Sequence, residues 1–138
     1  MIYYWEKYKS EIQPIVTNTI NNAQLIVDPF KDGGRRAKYL VLGSGFDIET
    51  SRIETPEFTT AYCYHWQMSF GRVTVGGRSL ETMADFFRYI IGIIPYGTRL
   101  LCFDANLGYE YQFCKHFWGS LGISHLFTKE KRQPLRLI

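Results

Sequence analysis

An α/β fold, built from a mixed sheet flanked by helices, is predicted by three features of the sequence. Short apolar runs rich in β-favouring residues, such as Lys38–Leu42 and Arg99–Phe103, have the length and composition of buried strands. Leu80–Ile91 carries apolar residues at the spacing of an amphipathic helix. The segments alternate as strands, helix, strand, helix, strand, an order that favours a mixed sheet of about five strands with helices packed on it.

Composition places the chain among globular proteins. It has 138 residues, of which 46% are hydrophobic and 17% aromatic, and its net charge of +3 permits a polyanionic partner without requiring one. Cys63, Cys102 and Cys114 show no C-x-x-C spacing, which predicts neither a zinc site nor a disulfide framework, and favours buried thiols in a reducing compartment. The longest apolar stretch, Tyr89–Pro95, is too short to span a membrane. We therefore expect a cytoplasmic protein without a membrane partner.

The first 37 residues differ from the rest and are interpreted as a partly helical N-terminal arm, followed by a domain over residues 38–138. The arm begins with aromatic residues, which predict a packing surface, and continues with a polar segment and a charged turn. Pro14 predicts that any helix in this arm is interrupted.

A pair of carboxylates follows the first predicted strand of the domain. Gly43-Ser44-Gly45 interrupts this strand and predicts a bulge, after which Phe46-Asp47-Ile48-Glu49 resumes a period-two alternation. Asp47 and Glu49 are then expected on one face of the strand, with Phe46 and Ile48 on the other. Adjacent carboxylates repel each other, and a bound metal ion is a simple reason to keep them together.

The following elements are defined by local signals. Thr59–Phe70 and Arg72–Gly76 read as a hairpin, and Ser79 reads as the N-cap of the helix, which ends before Pro95. His65, within the aromatic strand, is expected to be a packed or hydrogen-bonded residue. Beyond the strand at Arg99–Phe103, the sequence predicts a second helix through Tyr109–Trp118 and strands at Ile123–Phe127 and Leu135–Ile138.

A third carboxylate lies at the start of that second helix, in Asn106-Leu107-Gly108-Tyr109-Glu110. Asp47, Glu49 and Glu110 could then surround one point, and three such oxygen donors suit Mg²⁺ or Mn²⁺. Two of these ions about 4 Å apart activate a water and stabilise the leaving oxygen in phosphodiester hydrolysis.

Phe46–Ser51 (FDIETS) resembles the first exonuclease motif of family B DNA polymerases, and Phe103–Phe113 (FDANLGYEYQF) resembles their second motif. The spacing of Ala61–Phe87 also fits. Over about residues 38–136 the chain therefore resembles the N-terminal 3′–5′ exonuclease domain of the protein-primed polymerases of phages and linear plasmids. The resemblance implies an RNase H-like exonuclease fold and a two-metal hydrolysis of single-stranded DNA.

The resemblance also implies roles for individual residues. Asp47, Glu49 and Glu110 would be the catalytic, metal-binding residues, while Thr50, Asn106, Leu107 and Tyr109 would contact the single strand.

Basic residues in the C-terminal segment could line a groove for a DNA backbone or could be solvated surface charge. They are Lys129, Lys131, Arg132 and Arg136, with Lys31, Arg35 and Arg36 of the arm as further candidates.

The chain departs from the family pattern in ways that bear on activity. Ala105 stands where the second motif has histidine, and Asp104 adds a carboxylate. The third motif, a tyrosine and an aspartate one helical turn apart, has no counterpart after Ile123, so we expect an exonuclease-like domain truncated at its C-terminus, with weak or no hydrolysis by the isolated chain. The alternative is a catalytically inactive exonuclease-like binding module of a mobile element, which inhibits or sequesters a host protein or nucleic acid.

Overall fold

The computed structural model describes residues 1–32, 35–103, 113–114, 125–127 and 134–137. It contains two helices and eight strands within these ranges. In chain order they are β1 (Ile2–Tyr4), α1 (Trp5–Asn21), β2 (Gln24–Asp32), β3 (Arg35–Glu54), β4 (Thr59–Phe70), β5 (Val73–Gly77), α2 (Leu80–Ile93), β6 (Thr98–Phe103), β7 (His125–Phe127) and β8 (Pro134–Leu137).

The described strands form a mixed six-stranded sheet and a separate antiparallel pair, β7 with β8. The larger sheet has the order β1-β5-β4-β3-β2, and β6 also pairs with β3. Strands β1 and β6 run parallel to their partners β5 and β3, and the other pairings are antiparallel. The prediction of an α/β fold with a mixed sheet is confirmed at this level.

Strand β3 is long because it changes partners along its length. Its first half pairs with β2 and β6, whereas its second half, from Phe46 to Glu54, pairs with β4. The register with β6 shifts between Val41 and Ser44, so the bulge predicted at Gly43-Ser44-Gly45 is confirmed. The β2 strand was not predicted; it is an edge strand whose Leu25, Ile26 and Val27 are exposed.

The hairpin and helix predicted from local signals are present. Strand β4 covers the predicted Thr59–Phe70, and β5 returns antiparallel to it. Ser79 caps α2, since its hydroxyl oxygen accepts a hydrogen bond from the backbone N–H of Thr82 at 3.2 Å. These elements follow from nearby residues alone, and for that reason the sequence predicts them well.

Helices α1 and α2 pack beside each other on one face of the sheet. The indole N–H of Trp5 donates to Asp85 of α2 at 2.8 Å, and the Lys9 ammonium reaches the same carboxylate oxygen at 2.8 Å. Helix α1 continues through Pro14 and departs from helical geometry at Tyr8 instead, so the break was predicted at the wrong residue. Helix α1 thus shares a core with the sheet of the predicted domain.

The core lies between the two helices and the sheet. Phe86 of α2 is fully buried at its centre, with ring centroids 5.0 Å from Trp5, 5.3 Å from Trp66 and 5.8 Å from Phe70. The packing surface predicted for the aromatic N-terminus is confirmed for Trp5, which is 1% exposed. Aromatic burial of this extent is the main force that fixes the helices on the sheet.

Several predictions need correction or fall outside the described residues. Cys63 and Cys114 are buried as expected, but Cys102 is exposed, so the expectation of buried thiols is wrong for it. The second helix was predicted where only Phe113 and Cys114 are described, both of them helical. Strands β7 and β8 lie within or close to the two segments predicted as strands near the C-terminus. Within the described chain, no helix is long and apolar enough to cross a bilayer.

Candidate active site

Asp47 and Glu49 lie on the face of β3 that points away from the helices. Both are exposed, whereas Phe46 and Ile48 between and beside them are 8% and 5% exposed and face the core. The predicted alternation is therefore confirmed. Across the strand pair, Asp47 lies opposite Gln67 and Glu49 lies opposite His65. The two carboxylates thus belong to a row of polar side chains that crosses from β3 to β4.

The neighbouring strand β6 leads the chain to the same part of the sheet. It runs parallel to β3, and its last residue, Phe103, lies opposite Gly45, two positions before Asp47. The chain consequently leaves β6 close to the level of the two carboxylates. The start of Phe46–Ser51 and the end of β6, which leads into Asn106–Glu110, are therefore adjacent in the sheet.

A bulge in β4 changes which residues face the carboxylates. Glu49 pairs with His65, but the next residue of β3, Thr50, pairs with Cys63, so Tyr64 is an extra residue without a partner position. Cys63 and Trp66 are buried on the helix side, while Tyr64 is exposed and His65 is partly exposed. Two successive side chains therefore point away from the core at this place.

On this face the side chain of Tyr64 contacts Glu49. Its hydroxyl donates a hydrogen bond to the Oε2 atom of Glu49 at 3.1 Å. The hydrogen bond and the negative charge of Glu49 raise the pKa of Tyr64 above its usual value, because both favour the protonated phenol. Tyr64 was not among the predicted site residues, because strict alternation with Trp66, Met68 and Phe70 would place it in the core.

His65 continues the polar row toward the edge of the sheet. Its Nε2 atom is 3.4 Å from the hydroxyl of Tyr4, and the guanidinium of Arg78 lies 4.5 Å from the centre of the Tyr4 ring. The expectation that His65 is hydrogen-bonded is confirmed. Gly76 allows β1 to lie close to β5, because a Cβ atom there would lie 2.8 Å from the side chain of Ile2.

The described residues contain no complete metal site. No three His, Cys, Asp or Glu side chains in the described ranges converge on one point. Asp47 and Glu49 supply two carboxylates, whereas Thr50 is partly buried and lies opposite the buried Cys63, so its side chain belongs to the other face of the strand and the structure does not bring it together with them. The remaining predicted site residues lie outside the residues whose side chains are described: Glu110, Asn106, Leu107, Tyr109, Lys129, Lys131, Arg132 and Arg136.

A groove of about 460 Å³ lies on a different part of the molecule, between β4 and the start of α2. Cys63, Leu80 and Phe113 are among the residues that line it, and neither Asp47 nor Glu49 is. The burial of Cys63 raises the pKa of its thiol, which favours the unreactive protonated form.

Comparisons of the chain with protein families, with curated proteins and with solved structures found no match.

Proposed function

We propose that the chain is an exonuclease-like domain with an RNase H-like fold, derived from a phage-type family B DNA polymerase, and that it acts on single-stranded DNA from the 3′ end with Mg²⁺ or Mn²⁺. One observation carries the proposal. Asp47 and Glu49 project from the same face of β3, and the parallel strand β6 ends at the position of Gly45, two residues before Asp47. A two-metal hydrolase needs carboxylates from separate elements at one place, and this strand order is suited to supply them.

In the proposed reaction, Asp47, Glu49 and Glu110 would hold the metal ions. The chemistry that such ions would supply is activation of a water for attack on the terminal phosphodiester and stabilisation of the leaving oxygen. The exposed face of β3 and β4 would receive the end of the DNA strand next to Asp47 and Glu49. The basic residues near the C-terminus are proposed to bind its phosphates.

A second candidate function is favoured by the departures of the sequence from the exonuclease pattern. Ala105 stands where the second motif has histidine, and residues 124–138 contain no tyrosine and aspartate that resemble the third motif. Loss of one metal-held charge can remove several kcal/mol of transition-state stabilisation. A domain of this kind would still bind nucleic acid or a protein, and would act as an inhibitor or a sequestering module of a mobile element.

Metal binding and cleavage on the same samples separate the two candidates. Mn²⁺ binding is measured by calorimetry on wild type, Asp47→Asn and Glu49→Gln, together with degradation of a 5′-labelled single-stranded oligonucleotide. Glu57→Gln is the matched control, because Glu57 is an exposed carboxylate in the loop between β3 and β4. For an exonuclease we expect each site variant to weaken Mn²⁺ binding by at least about tenfold and to abolish cleavage, with Glu57→Gln unchanged.

The other outcomes are equally informative. Carboxylate-dependent Mn²⁺ binding without cleavage favours the inactive binding module. Mn²⁺ binding that is absent, or unaffected by both site variants, refutes the metal centre, and the search then turns to protein partners by pull-down with wild type.

A further inference from the structure

The bulge in β4 takes Tyr64 out of the core and places it beside a proposed metal ligand. Continued alternation from Phe70, Met68 and Trp66, which are 1%, 5% and 0% exposed, would bury Tyr64 as well. Instead Tyr64 is 43% exposed on the opposite face. Bulges re-aim single side chains in this way and are frequent beside active sites.

The tyrosine hydroxyl makes one defined contact on that face, the hydrogen bond to Glu49 Oε2 at 3.1 Å. A carboxylate has room for about four hydrogen-bond or metal contacts, so one bond from a phenol leaves the other lone pairs of Glu49 for a cation. Groups that hydrogen-bond to a metal-ligating carboxylate orient it and typically account for 10- to 100-fold in metal affinity.

We propose that Tyr64 is a positioning residue for Glu49, which restricts the orientation of this carboxylate so that Glu49 and Asp47 bind a divalent cation. The inference rests on the proposed function, because it assigns Glu49 to the metal. Tyr64 acts through Glu49 and contributes no metal ligand itself. The role also explains why a tyrosine whose ring could be buried is kept at the surface.

The test measures Mn²⁺ affinity of wild type, Tyr64→Phe and Tyr62→Phe, and of Tyr64→Phe combined with Glu49→Asp. Tyr62 is the matched control, since it lies on the same strand with 42% exposure and its hydroxyl makes no hydrogen bond within the described chain. Glu49→Asp keeps a carboxylate but shortens it by one methylene, beyond the reach of the Tyr64 hydroxyl. Thermal unfolding of each variant shows that it is folded.

We expect Tyr64→Phe to weaken Mn²⁺ binding about tenfold, Tyr62→Phe to leave it unchanged, and Tyr64→Phe to have no effect in the Glu49→Asp background. A purely structural role of Tyr64 would give the same loss in both backgrounds and would overturn the proposal. If Glu49→Gln weakens binding while Tyr64→Phe does not, the positioning role fails and the metal centre stands. If Glu49→Gln has no effect either, both fail together.

Discussion

Gly77 at the end of β5 is the position where one added methyl group should disturb the fold most. A Cβ atom at Gly77 would lie 2.4 Å from Nε1 of Trp66 and 2.5 Å from the hydroxyl oxygen of Thr82. Ordinary contacts between such atoms are about 3.5 Å, so something must move by about 1 Å. The Trp66 ring is fully buried and stacked on Phe86, which leaves it no space to move.

The expected cost of Gly77→Ala has two parts. Overpacking a filled core costs about 1–3 kcal/mol. The movement also breaks the hydrogen bond of 3.0 Å from the Trp66 indole to Thr82, and a buried N–H without an acceptor costs about 1–3 kcal/mol more. We expect a total of about 3 kcal/mol, which lowers Tm by about 10 °C for a domain of this size.

Thermal unfolding followed by circular dichroism measures this effect, with Gly92→Ala as the matched control. Gly92 is exposed near the end of α2, and a Cβ atom there has no atom within 4 Å. Alanine should stabilise this helix by about 0.5 kcal/mol, so Tm should rise slightly. A Tm of Gly77→Ala within about 2 °C of wild type would refute the close packing of Trp66 on β5.

Two further predictions concern the helices. Ser79→Ala removes the hydroxyl that accepts the N–H of Thr82 and should lower the free energy of unfolding by about 1 kcal/mol, measured by urea denaturation. The pKa of Asp85 is lowered by hydrogen bonds from Lys9 and Trp5, so it stabilises the fold above the ordinary pKa of 3.8, and this stabilisation is lost as the pH falls through the lower folded pKa. Because the side chains of Lys9 and Asp85 are 50% and 46% exposed, the contribution is about 0.5 kcal/mol. The stability of Asp85→Asn should therefore depend less on pH between about pH 5 and 3, and an unchanged pH dependence would contradict the role of this pair.

The sequence predicted those elements whose signals are local. The β-branched and aromatic composition of β4, the cap at Ser79 and the apolar spacing of α2 each depend on a few neighbouring residues. The position of α1 was not predictable in this way, because its contacts join Trp5 to residues about 80 positions away. Such contacts depend on packing between segments that are distant in the chain, and a single sequence does not indicate which segments pack together.

The same difference between local and long-range signals decides which residues of the candidate site were predicted. Asp47 and Glu49 were predicted on one face because a regular strand alternates, and β3 is regular from Phe46 to Glu49. Tyr64 was not predicted because strict alternation from Trp66 would place it in the core, and the bulge breaks that alternation. No residue type near Tyr64 indicates a bulge. The placement of Glu110 stays a prediction.

Asp47 and Glu49 carry negative charges that no basic side chain among the described residues neutralises, and this bears on the proposed metal site. Within the described residues the only salt bridge joins Lys9 to Asp85, so no lysine or arginine there neutralises either carboxylate of the pair. Among the described residues, the side chain of Glu49 accepts one hydrogen bond, from the neutral phenol of Tyr64. Two carboxylates two residues apart on one strand face repel each other, and a divalent cation between them removes the repulsion. A fold that needed only a polar surface could place any neutral side chain at these positions. If the proposed metal centre is correct, neutralising Asp47 and Glu49 should raise the free energy of unfolding slightly while it removes metal binding.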